Sequence, residues 1–448
     1  MPLAEFSNVD ELLILLSFAE LKTEEKSRIE IIIGSDIDWK LLWKKTKLND
    51  IGPIIFLNLN KLNHLGSIPG WLIKRLNDRY REIEKANALR LKTASEIFRR
   101  MNEAEIDVVV LKGALFAESI YGNIAYKKMN DVDILVKFED IVKIREIYRD
   151  SGLVPLALLD ESDKNYHLPA FVSRDLTFVA GTHWGLISPR SGIKLDYAEI
   201  WGRTVQAVVA GRNVLALAPE DALHHLCLHF HYYKTGLKEL GDFANLIRHH
   251  SPFDWTKFKN LVESSGSQTQ AFRPLLLSET IFELKIPAGI LARFKEKAES
   301  FVVSDTELQA GRKDLLVSSR SVYSSQIEKA YLAFTYESRF WEKMKWFKAF
   351  WQRLLWPPKE VVYRTNFCLP GEKSLRFLYM KNLDRTGREI GKNFGMGIFF
   401  LLMGKSVVDL ICCLSGNIFG NPPDKMALLR KELGTDEEKI TSLMDSME

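Results

Sequence analysis

Apolar positions recur three and four apart through WLIKRLNDRYREIEKANALRLKTASEIFRRMN, residues 71–102, which is the period of a long amphipathic helix. That helix feeds IDVVVL at 106–111, where the apolar run shortens to strand length. From 106 to about 205 the pattern alternates: VVVLKG, ALFAESIY, DILVKF and EDIVKIREIYRDSG, then strands around LTFVA and IKLDY. A small mixed sheet with helices packed against it is expected. From Pro219 the pattern turns helical again, and Ala218-Pro219-Glu220-Asp221 puts a proline and two acids in a first helical turn. The expected organisation is a helical region over 1–105, an α/β core over 106–205, a helical region packed on it over 206–300, and a C-terminal helical region over 301–448. Junctions are expected in the polar stretch 300–325 and at Trp356-Pro357-Pro358, where a helix must stop. The last sixteen residues, LGTDEEKITSLMDSME, read as an acidic, mobile tail. The fold class is α+β.

The segment IDVVVLKGALFAESIYGNIAYKKMNDVDILVKF, 106–138, carries the chemistry. Asp131 and Asp133 are separated by one residue, so on a strand both project from the same face. Two carboxylates side by side repel, and a cation between them removes the conflict. Mg²⁺ or Mn²⁺ carrying a phosphate chain suits the pair, because Mg²⁺ takes one or two carboxylates together with phosphate oxygens. Upstream, Lys112-Gly113 ends an apolar strand and opens a helix, whose free N–H groups and dipole favour an anion. Acid pairs of this kind also occur at strand mouths where each carboxylate is merely solvated. Here strands precede the Lys-Gly turn and continue from the aspartates, as a nucleotide site requires.

On these residues the chain resembles the uncharacterised nucleotidyltransferase family of the DNA polymerase β-like superfamily. The resemblance rests on Leu111-Lys112-Gly113, Tyr121, and Lys127-Lys128-Met129-Asn130-Asp131-Val132-Asp133-Ile134-Leu135-Val136. It continues through Pro219 to His229, Leu240-Gly241-Asp242 and Asp254-Trp255, with a weaker echo at Trp356-Pro357-Pro358. It implies a nucleotidyltransferase-like core at 106–205, an Asp131/Asp133 metal site, and phosphate contacts from Lys112, Gly113 and Lys127. It also implies that His229 lines the cleft. Two positions depart from the pattern. The arginine usual before the acidic pair is Lys127, which keeps the charge and loses the bidentate fork. A third carboxylate is expected two residues before His183-Trp184, where this chain has Gly181; the nearest acid on an expected strand is Asp196. Either Asp196 has taken the third role or nucleotide is bound without efficient turnover.

Composition narrows the partners. Basic and acidic side chains number 62 and 58, a net charge of +4, which gives no strong nucleic-acid footprint. The four cysteines have no C-x-x-C spacing, so neither a disulfide framework nor a cysteine zinc site is expected. The opening MPLAEFSNVDELLILL lacks a basic n-region and an A-x-A site, so no signal peptide is expected and the compartment is expected to be cytoplasmic. The apolar run at 396–419 is interrupted by Lys405 and Asp409 and reads as a buried helix, not a transmembrane segment. RFWEKMKWFKAFWQRLLW, 339–356, carries an aromatic stripe with a basic complement. That pattern is compatible with surface membrane contact, although a packed core face is the commoner meaning. His225 and His229 stand four apart, a zinc-like spacing without an H-E-x-x-H glutamate or a clear third ligand.

The expected function is metal-dependent transfer of NMP from an NTP to a hydroxyl of an unknown acceptor, which could be a small molecule, a sugar, a protein or an RNA end. The expected catalytic carboxylates are Asp131, Asp133 and Asp196. The rival readings are a catalytically degenerate nucleotide-binding scaffold or sensor and a D-x-D glycosyltransferase. The glycosyltransferase would call for a longer parallel sheet before the acidic pair.

Overall fold

The computed structural model describes residues 6–156, 166–230, 236–298, Ser374, 376–381 and Asp384. The chain divides into two compact units, Met1–Ser318 and Ser319–Glu448. In the second unit the described residues 376–381 are helical. The expected C-terminal junctions, the aromatic 339–356 stretch, the apolar 396–419 run and the acidic tail lie outside the described residues.

The first unit opens with helices α1 (Asn8–Leu15), α2 (Thr23–Ile33), α3 (Trp39–Leu48) and α4 (Gly52–Lys61), then α5 (Gly70–Glu103), 34 residues long. The buried stripe of α5 runs Leu72, Leu76, Tyr80, Ile83, Asn87, Leu91, Ala94, Ile97, Met101, as the three-and-four spacing predicts. One member is polar. Asn87 donates to the carbonyls of Ile124 (2.6 Å) and Lys127 (2.8 Å) and accepts from the Met129 amide (3.2 Å). It thereby fastens the loop that leads into Asp131 to the middle of the helix.

After α5 come β1 (Val109–Val110), α6 (Lys112–Ser119), β2 (Val132–Leu135) and α7 (Ile141–Asp150), close to the alternation read from the sequence. Then follow β3 (Val154–Pro155), β4 (Phe171–Val172), β5 (Val179–His183), α8 (Tyr197–Gly202), β6 (Val205–Val209) and β7 (Arg212–Ala216). Among the described residues the strands make one mixed sheet in the order β3-β4-β5-β2-β1-β7-β6. Its centre is β2, antiparallel to β1 and parallel to β5.

Two features differ from the sequence reading. IKLDY is not a strand: Asp196 caps α8, its carboxylate accepting the Glu199 amide at 3.0 Å. Aspartate is among the best N-cap residues, and this local bond satisfies an orphan amide that a strand would leave to a neighbour. The sheet also runs past 205 through the β6–β7 hairpin, whose turn residues Ala210 and Gly211 have φ of 52° and 70°. Positive φ at both central positions is the two-residue hairpin geometry. The β7 strand pairs with β1, Val109 against Leu215, so this hairpin belongs to the sheet that carries the acids.

The unit finishes with α9 (Pro219–Leu228), α10 (Leu237–His249), α11 (Trp255–Ser265), α12 (Gln268–Phe282) and α13 (Ala288–Ala298). A continuous apolar core extends from Val9 to Phe294, joining the first helices, the sheet and the later helices. Buried asparagines knit these parts together. Asn58 donates to the carbonyls of Leu16 and Phe18, while Asn245 accepts from the Ala19 amide and donates to the Ser17 carbonyl.

Replacing Asn87 by alanine removes the side-chain partner of two carbonyls and an amide. Unfolding in urea is expected to show a loss of about 2–4 kcal/mol, since each orphaned buried polar group costs about 1–3 kcal/mol. A loss below about 0.5 kcal/mol, the range of ordinary surface substitutions, would show that the loop is held elsewhere.

Candidate active site

Asp131 stands immediately before β2 and Asp133 lies within it, so strand alternation places both carboxylates on one face. Lys112, at the start of α6, brings its Nζ to 3.4 Å from Asp133 Oδ2. His183, at the end of β5, brings Nε2 to 3.4 Å from Asp133 Oδ1. Burial alone would raise the Asp133 carboxyl, but the Lys112 ammonium and the His183 ring outweigh it and hold the group well below the usual carboxylate range. Asp131 goes the other way. Burial and the neighbouring Asp133 charge push it up, more strongly than Lys112 and His183 pull it down. No cation makes an ion pair with Asp131 among the described residues, so the site is short of positive charge on that side.

Lys112 is also the residue with the least relaxed backbone here, at φ 23°. Positive φ in a side-chain-bearing residue is strained and tends to persist where function demands it. The following α6 has no side-chain N-cap, so its first amides remain available to an anion. A Cβ built on Gly113 meets nothing within 4 Å. No packing requirement therefore explains that glycine.

The parallel pairing of β2 with β5 sets Gly181 directly beside Asp133. A Cβ at 181 would fall 2.2 Å from Asp133 Oδ1. The Asp133 carboxylate thus leans into the space above the position where the resemblance placed a third acid. Asp196, capping α8, is engaged with the Glu199 amide. Among the described residues no three His, Cys, Asp or Glu side chains are grouped to hold a metal ion.

Lys127, the second basic residue expected to face phosphate, is ion-paired to Asp242 of α10 and lies 5.3 Å from the Tyr126 ring centroid. Asp242 also accepts the Tyr121 hydroxyl at 2.9 Å, and Asn245 donates to that hydroxyl at 3.1 Å. Tyr121 and Tyr126 are stacked, centroids 3.7 Å apart. His229 caps α9 with Nε2 3.1 Å from the Leu186 carbonyl, and its ring centroid lies 4.4 Å from that of His225. Burial, with Lys112 nearby, drives both imidazoles toward the neutral form. Neither ring nitrogen of the buried His225 has a hydrogen-bond partner. These histidines gather no third zinc ligand among the described residues.

The structure therefore brings Lys112, Asp131, Asp133 and His183 together, with His229 close enough for its charge state to respond to Asp133. It does not bring Asp196 into a metal-holding group with the acidic pair. Sequence reasoning passed over His183 and Asp242 as site neighbours. Their only advance signals were the His183-Trp184 pair and the Leu240-Gly241-Asp242 run already tied to the family pattern.

Does the site suit a divalent cation? The donors are two hard carboxylates on one strand face, and the excess negative charge at Asp131 is what a hard cation would relieve. Mg²⁺ needs only one or two carboxylates when phosphate and water complete its shell, so the residues fit.

A strand, a strained Lys-Gly turn, an uncapped helix and a returning strand with paired acids make up the site. The family described as uncharacterised nucleotidyltransferase matches residues 35–283, more than half of the chain, and the chain belongs to it. No curated protein and no solved structure matches it at the significance applied.

Lys112→Met removes the cation that offsets Asp133, and a loss of about 1–3 kcal/mol is expected at pH 7 for this partly exposed pair. The parent holds the Asp133 carboxyl below its unfolded value through Lys112 and His183, so the stability that Lys112 lends is present above the unfolded carboxylate range and is lost only as pH falls below it toward the depressed folded value. Chemical denaturation at pH 7 checks this, and a variant as stable as the parent there would contradict it.

Proposed function

We propose that the chain transfers a nucleoside monophosphate from an NTP to a hydroxyl of an acceptor, in a reaction that depends on Mg²⁺ or Mn²⁺. The observation that carries this reading is the acidic pair of β2 facing the uncapped start of α6, with Lys112 between them. Asp131 and Asp133 would hold the metal, which when bound would neutralise phosphate oxygens and polarise the α-phosphate. The free amides at the start of α6, beside Gly113, bind phosphate oxygens. Lys112 swings from Asp133 to the incoming polyphosphate and offsets the charge that builds up on the leaving pyrophosphate; such preorganised charge supplies most of the rate in phosphoryl-type transfer. The acceptor oxygen bonds to the α-phosphorus, the bond to the pyrophosphate oxygen breaks, and the hydroxyl proton passes to water. His183 orients Asp133, and His229 lines the cleft. Lys127 would reach phosphate only by leaving Asp242, and Asp196 would join only by leaving its cap. The acceptor is a small molecule, a sugar, a protein or an RNA end, and a cytoplasmic setting with its supply of NTP and magnesium belongs to the proposal. Among the described residues no helix is long and apolar enough to cross a membrane.

One observation favours a second reading. Gly181 beside Asp133 leaves two carboxylates where three are expected, which suits a chain that binds NTP and turns it over slowly or not at all.

Titration calorimetry with Mg²⁺ and a non-hydrolysable NTP is expected to show binding in the parent and none in Asp131→Asn/Asp133→Asn. Equal binding by both proteins would remove the metal-site reading. Pyrophosphate release with each of the four NTPs, with and without cell extract, separates the two readings: release lost in the double variant supports transfer, and binding without release supports the scaffold.

Gly113→Val is expected to weaken NTP binding about tenfold, the equivalent of one charge-assisted hydrogen bond, while the melting temperature barely moves because the site has open space for the side chain. Unchanged affinity in the folded variant would remove Gly113 from the phosphate site.

A further inference from the structure

Arg90 lies on α5, three residues beyond Asn87 and on the same side of the helix, so it stands by the loop that Asn87 fastens. Its Nε and Nη1 are shielded from solvent and have no hydrogen-bond partner. A guanidinium with unmet, shielded donors is unfavourable unless a ligand meets them, since donors removed from water cost free energy when unpaired. The carboxylate whose charge reaches Arg90 is Asp131, the acid that has no cation in ion-pair contact. Lys128, in the fastened loop, is the second unmatched cation. It is half-buried; the charge of Asp50, already shared by Arg79 and Lys238, favours it, and the charges of Lys238, Arg79 and Arg90 oppose it.

The neighbouring cations are accounted for differently. Arg79 and Lys238 share Asp50, at 2.9 and 3.0 Å, and Lys127 takes Asp242. Arg90, within reach of the Asp131 charge, and Lys128, within reach of the Arg90 charge, are left without a carboxylate partner within ion-pair distance among the described residues. The guanidinium fork absent at position 127 is thus present in space, supplied by a helix that precedes the core.

We propose that Arg90, assisted by Lys128, forms a polyphosphate-binding wall on the α5 side of the acidic pair. The ligand class is a linear tri- or polyphosphate bound with a divalent cation, and the planar fork suits bidentate contact with phosphate oxygens. This inference rests on the proposed nucleotide site, and it assigns to a residue outside the strand–turn–helix core the contact that distinguishes a triphosphate from a monophosphate.

The test uses the full chain, inorganic tripolyphosphate with Mg²⁺ as a base-independent probe, and ATP in parallel. Arg90→Gln is expected to weaken tripolyphosphate binding about tenfold or more, Arg90→Lys by an intermediate factor because it keeps the charge and loses the fork, and Lys128→Gln by about threefold. AMP binding is expected to be unchanged in all three. Affinity for tripolyphosphate within twofold of the parent in folded Arg90→Gln overturns the inference while leaving the nucleotide site standing. A lowered melting temperature with unchanged affinity also overturns it, and makes Arg90 a structural counter-ion to Asp131. If Arg90→Gln does not fold, Arg90→Lys decides: a threefold or larger loss supports the wall, and parent-like affinity overturns it. A parent that binds neither ATP nor tripolyphosphate overturns both this inference and the reading beneath it.

Discussion

The mutual repulsion of Asp131 and Asp133 is the constraint around which the first unit is arranged. Two carboxylates on one strand face, both largely withdrawn from water, are tolerable only if positive charge is placed against them. The turn after β1 does this by delivering Lys112 to Asp133, at the expense of a positive φ. The β5 strand contributes His183 from the parallel side and leaves position 181 without a side chain, so that the Asp133 carboxylate has room to reach both partners. Asp131 receives no such partner among the described residues, and burial together with the Asp133 charge raises its affinity for a proton.

Around this centre, polar side chains inside an apolar core fix positions that hydrophobic contact alone would leave loose. Packing tolerates small slides of one helix against another, whereas a hydrogen bond to a particular carbonyl does not. Asn87 ties the pre-β2 loop to α5, and Asn245 ties the end of α1 to α10. The Tyr121–Asp242–Lys127 group ties α10 back to the same loop. The helical surroundings therefore act as a jig for the acids. The family match, residues 35–283, takes in α5 with its Asn87 as well as the core.

Much of this was legible in the chain, and what was not has identifiable causes. The long helix, the strand pair flanking Lys112-Gly113 and the helix after β2 followed from periodicity, because burial on one face repeats at the helical or strand period. The β6–β7 hairpin went unread although Ala210-Gly211 sits between alternating residues, because the turn signal is weak when its first residue is alanine. IKLDY was misread because Asp196 serves a local cap, a choice that competes with strand pairing and leaves little trace in hydropathy. Partnerships across the chain were out of reach altogether: Lys127 and Asp242 are 115 positions apart, and only the fold decides that they meet. Asn87 was the missed clue, a polar residue set into an otherwise apolar helical stripe.

The Lys112–Asp133 contact also bears on when the site can be filled. At Asp133 the resting centre carries its own counter-ion, so a divalent cation that takes both acids has to evict an ammonium to enter. The natural key is a ligand that brings its own negative charge and gives that ammonium somewhere else to go. On the proposed reading, metal and polyphosphate then arrive as one body. On that reading occupancy would follow the level of the charged nucleotide and not that of the free ion, and the empty protein would be insulated from the metal fluctuations of its surroundings.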